Sequence, residues 1–388
     1  MVPPGPAFID KPGRLDAMDA AAAELIDNFP RIYRKLLPDL FRRQVPAETL
    51  ATCRQCAMCR PETLTADLPG STYFNPSTKC CTFQPALANY LVGGILSDPD
   101  PAMDEGRSRI RKALASGVGC LPTGIVPSAM YAHMYQHRAH DVFGRAVSMR
   151  CSYFREGEFN CTIWKHRNAT CSTWFCKHVK GKEGQQFWLA AKNYVAYLEW
   201  LLPRHFALEA GLDPPVQDEG ASVPVELGAD DIDGRWDENA HAAAWGAWKG
   251  REEAFYIACY EKAQALGHEE VLRISGTHPH DLRGRALERA YNQMMEPKVP
   301  DPLLRNPRLV VRERPGDKRH VGVGGISGIE ISAELLEMLW CFNGLRTTQE
   351  ALSLIQDRHE ATLTQALVTS LYHHRVLVDP AREGGGLA

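Results

Sequence analysis

The chain has 388 residues, of which 44% are hydrophobic and 23% are charged, and its formal net charge is −3. A chain of this length can form about two or three domains with separate cores. The small net charge gives no overall attraction to nucleic acid or to an anionic membrane, and no apolar run is long enough to span a bilayer. The first residues lack the basic and apolar regions of a secretory signal, which favours a cytoplasmic location.

The N-terminal half contains three predicted helical regions. Residues 1–13 are rich in Pro and Gly and are expected to be disordered. From Asp16 to Arg43 apolar residues recur at helical spacing, with breaks at two prolines. Residues 105–115 predict a short polar helix. Residues 184–208 predict a strong amphipathic helix, because apolar side chains return every three or four positions.

The C-terminal half alternates between linkers and folded segments. Residues 211–235 and 298–307 are rich in Pro, Gly or acidic residues and are predicted linkers. Helical patterns fill residues 236–297 between them. From Arg308 the patterns follow the order strand, hairpin, three helices and strand, which is the order of a winged helix. Within this region, the pair Thr347 and Glu350 predicts a capping box.

The predicted fold class is therefore mainly α. It has a loop-rich, cysteine-containing domain that binds metal and a small α+β winged-helix-like C-terminal domain. The predicted organisation is a disordered N-terminus (1–13), a cysteine-rich metal-binding domain (14–210), a linker (211–235), a helical segment that packs on that domain (236–297), a second linker (298–307), the winged-helix-like domain (308–380) and a disordered tail (381–388).

Nine of the twelve cysteines fall into two blocks. In a reducing compartment, thiols at this density are metal ligands more often than disulfides. A C-x2-C-x2-C run lets several thiolates reach one centre from a tight turn, as in ferredoxin-type runs, and C-x2-C pairs also contribute to zinc sites. The predicted metal ligands are Cys53, Cys56, Cys59, Cys80 and Cys81 in the first block, and Cys151, Cys161, Cys171 and Cys176 in the second.

Nine thiolates exceed what one tetrahedral ion needs. The count favours two centres, or one polynuclear centre with spare thiols. Adjacent cysteines rarely serve one ion without strain, so Cys80 and Cys81 are expected to face different centres or to contribute only one ligand. His166 and His178 are possible nitrogen ligands, and a role at the centre is left open for Cys120.

The other two cysteines, Cys259 and Cys341, lie within apolar stripes, which predicts that they pack in cores. No phosphate loop, dinucleotide fingerprint or H-E-x-x-H motif is present. The sequence therefore assigns no catalytic residue and does not decide whether the chain is an enzyme.

The second block reads Cys151-Ser-Tyr-Phe and then Cys161-Thr-Ile-Trp-Lys-His-Arg-Asn-Ala-Thr-Cys171. This pattern resembles that of the YkgJ-like cysteine-cluster proteins, a family described as zinc- or iron-chelating. Trp164 and Arg167 stand at the family's aromatic and arginine positions, and the first block resembles the family's first motif. The chain departs from the pattern at residues 60–79, where the family is compact, and at Asn168, where the family has proline. The resemblance covers about residues 50–180 and implies a metal, either iron or zinc.

The segment that begins Leu335-Leu, continues through Asn-Gly-Leu-Arg-Thr and ends in Val376-Leu resembles PqqD-like domains. Those domains are peptide-recognition modules, so the resemblance implies a peptide or protein partner. DNA is the less favoured partner, because the third predicted helix, residues 363–374, carries no Lys or Arg to contact phosphates.

Together these patterns predict a cytoplasmic metalloprotein with cysteine ligands, without membrane contact, that takes part in redox or in peptide- or protein-modification chemistry. Its C-terminal domain is predicted to recognise a peptide or protein. An iron–sulfur cluster or iron is the preferred cofactor, and zinc is the alternative. The alternative functions are a non-catalytic, zinc-stabilised scaffold and a metal- or redox-sensing transcriptional regulator.

Overall fold

The structure is a computed structural model that describes residues 22–51, 53, 56–59, 73–155, 160–214, 227–314, 316–323 and 329–383. These residues are mainly helical and contain several small, separate sheets. No helix in these ranges is both long and apolar enough to cross a membrane. The predicted N-terminal segment 1–13, residues 215–226 of the predicted linker and residues 384–388 of the predicted tail lie outside the described residues.

The described residues form two compact units. The first contains the residues up to Val179 together with Val195–Ile274, and the second contains Lys180–Tyr194 together with the residues from Ser275 onward. This division does not coincide with the predicted linkers at 211–235 and 298–307.

The first unit consists of short helices and very short strands joined by loops. In chain order the elements that begin before the boundary at residue 275 are β1 (Ala22–Glu24), α1 (Tyr33–Leu36), β2 (Gln44–Pro46), β3 (Leu87–Ala88), α2 (Asn89–Ser97), α3 (Asp104–Ser116), β4 (Cys120–Leu121), β5 (Gly124–Ile125), α4 (Ala129–Val142), β6 (Phe154–Arg155), β7 (Asn160–Cys161), α5 (Ala169–Thr173), α6 (Gly181–Glu209), α7 (Ala229–Asp233), α8 (Glu238–Trp245), α9 (Glu252–Ala265) and α10 (His268–Ser275). The strands pair as β1-β2, β3-β5-β4 and β6-β7, all antiparallel.

For the residues described, the prediction of a helix from Asp16 to Arg43 is confirmed in its breaks at Pro30 and Pro38 and is wrong at Ala22–Glu24, which form a strand. Strand β1 pairs with β2, and the segment between them forms only single helical turns. Pro30 and Pro38 lack the amide hydrogen that an uninterrupted helix requires. The apolar side chains are buried nevertheless, including those of Leu25 and Phe41. The apolar pattern therefore predicts the buried positions correctly but not the secondary structure.

The other helical predictions in this region hold more closely. Helices α3 and α6 confirm the predictions at 105–115 and 184–208. The helical pattern of 236–266 is interrupted between α8 and α9. Gly246 and Gly250 there have φ angles of 48° and 80°, in the left-handed region that favours glycine.

Helix α2 packs against α9 at a distance that only glycine allows. A Cβ atom at Gly93 would lie 1.9 Å from the carbonyl oxygen of Tyr256, and one at Gly94 would lie 2.7 Å from Nδ1 of His166. The buried core around α2 therefore reaches the second cysteine block through His166.

The second unit contains a larger share of regular structure. Besides the first part of α6, its elements are α11 (Thr277–Met295), β8 (Leu304–Arg305), β9 (Val310–Arg314), β10 (Lys318–Gly322), β11 (Ile329–Ser332), α12 (Ala333–Met338), α13 (Thr348–His359), α14 (Gln365–His373), β12 (Leu377–Val378) and α15 (Pro380–Glu383). Strands β9, β10 and β11 form an antiparallel sheet with β9 at its edge, and β12 pairs with β8.

One apolar core lies in this second unit. Its most buried members include Leu339, Ile355 and Leu371, each 0% exposed, and Cys341 is 4% exposed among them. The capping box is confirmed, because Thr347 Oγ1 accepts a hydrogen bond from Glu350 N while the Glu350 carboxylate accepts one from Thr347 N. The elements follow the predicted order, and the winged-helix assignment stays a prediction.

Candidate metal centre

The pair Cys80-Cys81 lies on a turn fixed by hydrogen bonds. The backbone N–H of Cys81 donates to the carbonyl of Thr78 at 3.0 Å, and that of Thr78 donates to Asn75 O at 3.1 Å. Thr78 Oγ1 also donates to Gly144 O at 3.1 Å in the protein interior. Threonine and asparagine bond readily to nearby backbone groups, so this sequence holds the two cysteines in a defined loop.

The start of the first block is tied to the same turn. Lys79 has a φ angle of 49°, and its Nζ donates to the carbonyl oxygen of Cys53. Cys56 and Cys59 lie on one tight turn, since the N–H of Cys59 donates to Cys56 O at 3.0 Å. Cys59 also forms a parallel bridge with Phe74. The chain on both sides of residues 60–72 is therefore brought together.

A backbone hydrogen bond joins the two blocks. The N–H of Cys151 donates to the carbonyl oxygen of Cys81 at 2.7 Å. Beside it, Gln84 Oε1 accepts from both the backbone N and the Oγ of Ser152, at 2.8 and 2.9 Å. The first cysteine of the second block is thus held directly next to the last cysteine of the first.

Short elements place the next two cysteines of the second block. Cys161 ends β7 and stands opposite Phe154 of β6. Cys171 lies in α5, whose N-cap is Asn168, and Asn168 Oδ1 accepts from Cys171 N at 2.9 Å. The asparagine that departs from the family's proline therefore caps the helix that carries Cys171.

A cavity of about 120 Å³ lies between the two blocks. Six of the nine predicted ligands line it, and they are Cys53, Cys80, Cys81, Cys151, Cys161 and Cys171. The rest of its wall is mostly aromatic or apolar and consists of Phe83, Pro85, Tyr135, Phe143, Tyr153, Phe154, Ile163, Trp164, Arg167, Thr170 and Trp174. Cys80 and Cys81 line the same cavity, and the expectation that they face different centres or contribute only one ligand stays a prediction.

The remaining predicted ligands, Cys56, Cys59 and Cys176, form a flanking group. The pKa of Cys59 is raised to about 12, first by burial and then by the neighbouring Cys56 and Cys176. The pKa of Cys176 is raised first by burial and then by Cys56 and Cys53. Cys53 therefore lies within electrostatic range of the flanking group while it also lines the cavity.

All twelve cysteines are free thiols. Across the part of the chain that the structure describes, no group of three or more His, Cys, Asp or Glu side chains is arranged so that it could hold a metal ion as it stands. The donor chemistry fits a thiolate-bound metal, because six sulfurs share one cavity wall. Their positions do not converge on one point.

The electrostatics of the cavity keep most of its thiols neutral. Burial raises the pKa of Cys161 to about 11 and raises the pKa values of Cys151 and Cys171 as well. Cys81 differs, because the thiol of Cys80 donates a hydrogen bond to it, and this lowers its pKa together with the charge of Lys79. A neutral thiol is only a weak hydrogen-bond donor and acceptor.

His166, His178 and Cys120, the possible additional ligands, do not line the cavity. The ring of His166 meets Asp98, with Nε2 at 3.0 Å from Oδ2. His178 Nδ1 is 3.8 Å from Glu48 Oε1. Cys120 is buried in β4, and its thiol donates to Ala113 O at 3.3 Å. Cys259 is 2% exposed, which confirms its predicted core position.

A polar network in the interior was missed by sequence reasoning. Glu199 Oε1 accepts from the N–H of Ala169 and from the hydroxyl of Tyr33, both at 2.7 Å, and Tyr33 is 3.0 Å from the hydroxyl of Tyr90. Burial raises the pKa of Glu199 to about 8. The network anchors the first residue of α5 and so helps to place Cys171. Its members come from distant parts of the chain, and no spacing signals such a contact.

The chain matches no protein-family model, no curated protein and no solved structure. The resemblances to YkgJ-like and PqqD-like proteins therefore stay predictions. Any function has to be inferred from the cysteine site and from the exposed surfaces of the chain itself.

Proposed function

We propose that this chain is a cysteine-ligated metalloprotein that binds an iron–sulfur cluster or iron and takes part in redox or modification chemistry. The observation that carries the proposal is the shared cavity, where cysteines from both blocks line one wall. Chance burial of small thiols would scatter them, as it does for Cys120, Cys259 and Cys341.

The number of sulfurs favours a polynuclear centre or two centres. One structural zinc ion takes four ligands, whereas six cysteines line the cavity and Cys56, Cys59 and Cys176 lie beside Cys53. A site that holds one water needs roughly 10–15 Å³, so a cavity of about 120 Å³ has room for more than a single ion. The cavity cysteines would hold one centre and the flanking cysteines a second, with Cys53 able to serve either.

Metal binding must displace protons from these thiols. The ligand is the thiolate, and burial keeps the pKa values of Cys151, Cys161 and Cys171 above the ordinary range. We therefore expect metal uptake to release protons and to tighten as the pH rises. Cys81, with its lowered pKa, is the thiol best prepared to bind first.

Access to the cavity favours a reactive centre over a closed structural one. Trp164 and Trp174, which line the cavity, are 48% and 38% exposed, and Cys53 is exposed as well. Structural zinc sites are closed, whereas reactive sites keep an open position. When bound, an iron–sulfur centre would supply electron transfer. The aromatic wall would limit water around it, and burial of this kind tunes the potential of a metal site.

Anaerobic purification followed by metal and acid-labile sulfide analysis tests this proposal. A brown protein with iron and sulfide in comparable amounts is the expected result. A colourless protein with stoichiometric zinc would remove the redox function and leave the zinc-stabilised scaffold. A protein without metal after purification, and without uptake on reconstitution, would remove both.

A second function, peptide or protein recognition, is favoured by the edge of the C-terminal sheet. All five residues of the edge strand β9, Val310–Arg314, are exposed. An exposed edge strand can pair with an extended peptide through main-chain hydrogen bonds. If this domain is winged-helix-like and PqqD-like, as the sequence predicts, we propose that β9 is the strand that pairs with the peptide.

The third predicted helix of this domain lacks the cations that would bind DNA. Helix α14 carries no Lys or Arg, and the first basic side chain after it, Arg375, pairs with Glu296 at 2.9 Å. A recognition helix normally supplies several cations to phosphates and base edges. The regulator alternative would therefore need another DNA-contacting surface.

The binding test should use the full chain. Asn292 of α11 donates to His373 O at 2.7 Å, and Glu296 pairs with Arg375, so a fragment that begins near residue 300 would lose these contacts. We expect weak binding of random duplex DNA without a steep salt dependence. Micromolar or tighter DNA binding that weakens steeply with salt would replace the peptide function with the regulator function.

A further inference from the structure

Arg167 is the one cation among the described residues that line the cavity. Its guanidinium lies over Trp164, with Cζ 3.4 Å from the ring centroid. Nη1 donates to the carbonyl oxygen of Cys171 at 3.0 Å. Stacking on an aromatic face and a backbone hydrogen bond together fix the guanidinium beside Cys171.

Among the described residues, no carboxylate balances the charge of Arg167. Within the described residues it forms no salt bridge, and its buried Nε has no hydrogen-bond partner. A charge that is shielded from water and not paired with an opposite charge is costly.

A thiolate-bound metal would provide the missing negative charge. A divalent ion with four thiolates keeps about two net negative charges, and charges near a metal centre change its affinity and its potential. Arg167 lines the cavity together with Cys53, Cys81, Cys161 and Cys171, which come from both blocks.

We propose that Arg167 is the counter-cation of the centre in the cavity, a positioning residue that stabilises the net negative charge of the metal and its thiolates. This inference rests on the proposed metal function. It assigns a role to the arginine that neither the ligand count nor the cysteine spacing provides. The guanidinium acts through the thiolates and does not bind the metal itself.

The test measures Zn²⁺ binding to the full chain, stripped of metal under anaerobic reducing conditions, in competition with a chromophoric chelator. Arg167→Gln removes the charge and should raise the dissociation constant about 10- to 100-fold, the usual range for groups that support metal ligands. Arg167→Lys keeps the charge but loses the planar stacked guanidinium, and it should weaken Zn²⁺ binding less than Arg167→Gln does.

A matched control is available in the same unit. Arg251 also stacks on a tryptophan, with Cζ 4.8 Å from the Trp248 ring centroid, and donates to a backbone carbonyl, that of Ala247, at 2.9 Å. It does not line the cavity, so Arg251→Gln should leave Zn²⁺ affinity unchanged. If the protein binds iron–sulfur clusters, Arg167→Gln should also move the reduction potential to more negative values, by about 59 mV for a tenfold change in a one-electron equilibrium.

The outcomes separate this inference from the proposed function. Native Zn²⁺ affinity in Arg167→Gln, beside weakened affinity in Cys171→Ser, would overturn the role of Arg167 and leave the metal site standing. Native affinity in both variants would remove the metal site itself. Equal losses in Arg167→Gln and Arg167→Lys would show that the guanidinium shape matters and the charge does not, which also overturns the proposal.

A further variant covers the case in which Arg167→Gln does not fold. Thr170 lines the same cavity, and Thr170→Lys in the native background adds a cation to its wall. Tighter Zn²⁺ binding is expected if positive charge stabilises the centre. Unchanged affinity would overturn the proposal.

Discussion

The cysteine region and the C-terminal region use the same residue type in different ways. In the C-terminal region, Cys341 is one small side chain in an apolar core with Leu339, Ile355 and Leu371. In the cysteine region, six thiols line a cavity among loops and very short strands. Where apolar burial stabilises an element, a cysteine only fills space. Where regular structure is sparse, a metal bound by the cysteines can supply the stability instead.

The largest expected effect comes from exchanging one cysteine in each region. Cys171→Ser should lower metal content by more than about half and reduce soluble yield, because metal binding contributes about 10–16 kcal/mol in small structural zinc sites. Cys341→Ser places a hydroxyl in an apolar core and should cost about 1–3 kcal/mol without loss of metal. Elemental analysis and thermal unfolding of both variants test the comparison, which fails if their metal contents are equal.

The apolar core can be weakened by itself. Leu371 is 0% exposed, and Leu371→Ala should destabilise the protein by about 2–5 kcal/mol, from lost burial and the cavity left behind. Leu345→Ala is the matched control, since Leu345 is 87% exposed and should change stability by less than about 0.5 kcal/mol. Denaturant unfolding measures both changes. Loss of metal in Leu371→Ala would contradict the separate roles of the two regions.

The network behind the cysteine region should make stability depend on pH. The folded-state pKa of Glu199 is raised to about 8 by burial, so the folded protein holds this proton more tightly than the unfolded chain. The stabilisation is therefore complete below the unfolded pKa of about 4.3 and is lost as the pH rises through about 8.

Glu199→Gln removes this titration, because glutamine stays neutral. As the pH rises from 5 to 9, the free energy of unfolding of the variant should increase by about 1–3 kcal/mol relative to that of the native protein. This energy is set low because the Glu199 side chain is partly exposed. Melting temperatures across this pH range measure it. Parallel pH profiles for the two proteins would show that Glu199 titrates normally.

The smallest expected effect concerns a local cap in the C-terminal region. Thr347→Ala removes the hydroxyl that accepts from Glu350 N and should cost about 1 kcal/mol. Thr362→Ala is the control, because its hydroxyl meets only the exposed side chain of Gln356. Metal content should be native in both. An unchanged melting temperature for Thr347→Ala would mean that the cap contributes nothing to stability.

The sequence by itself determined features that depend on neighbouring residues. Helices α3 and α6 and the capping box at Thr347 were predicted because their signals lie within one or two helical turns. The core positions of Cys259 and Cys341 followed from apolar stripes. The set of candidate ligands followed from the density of cysteines in two blocks.

The tertiary structure decided which of these features meet. That Cys81 and Cys151 share a backbone hydrogen bond, and that cysteines of both blocks line one cavity, are consequences of long-range packing. Contacts between distant segments depend on how loops close and on which surfaces fit, and neither is encoded in local spacing. The pairing of β1 with β2 in place of a helix has the same cause, because only tertiary packing supplies a partner strand.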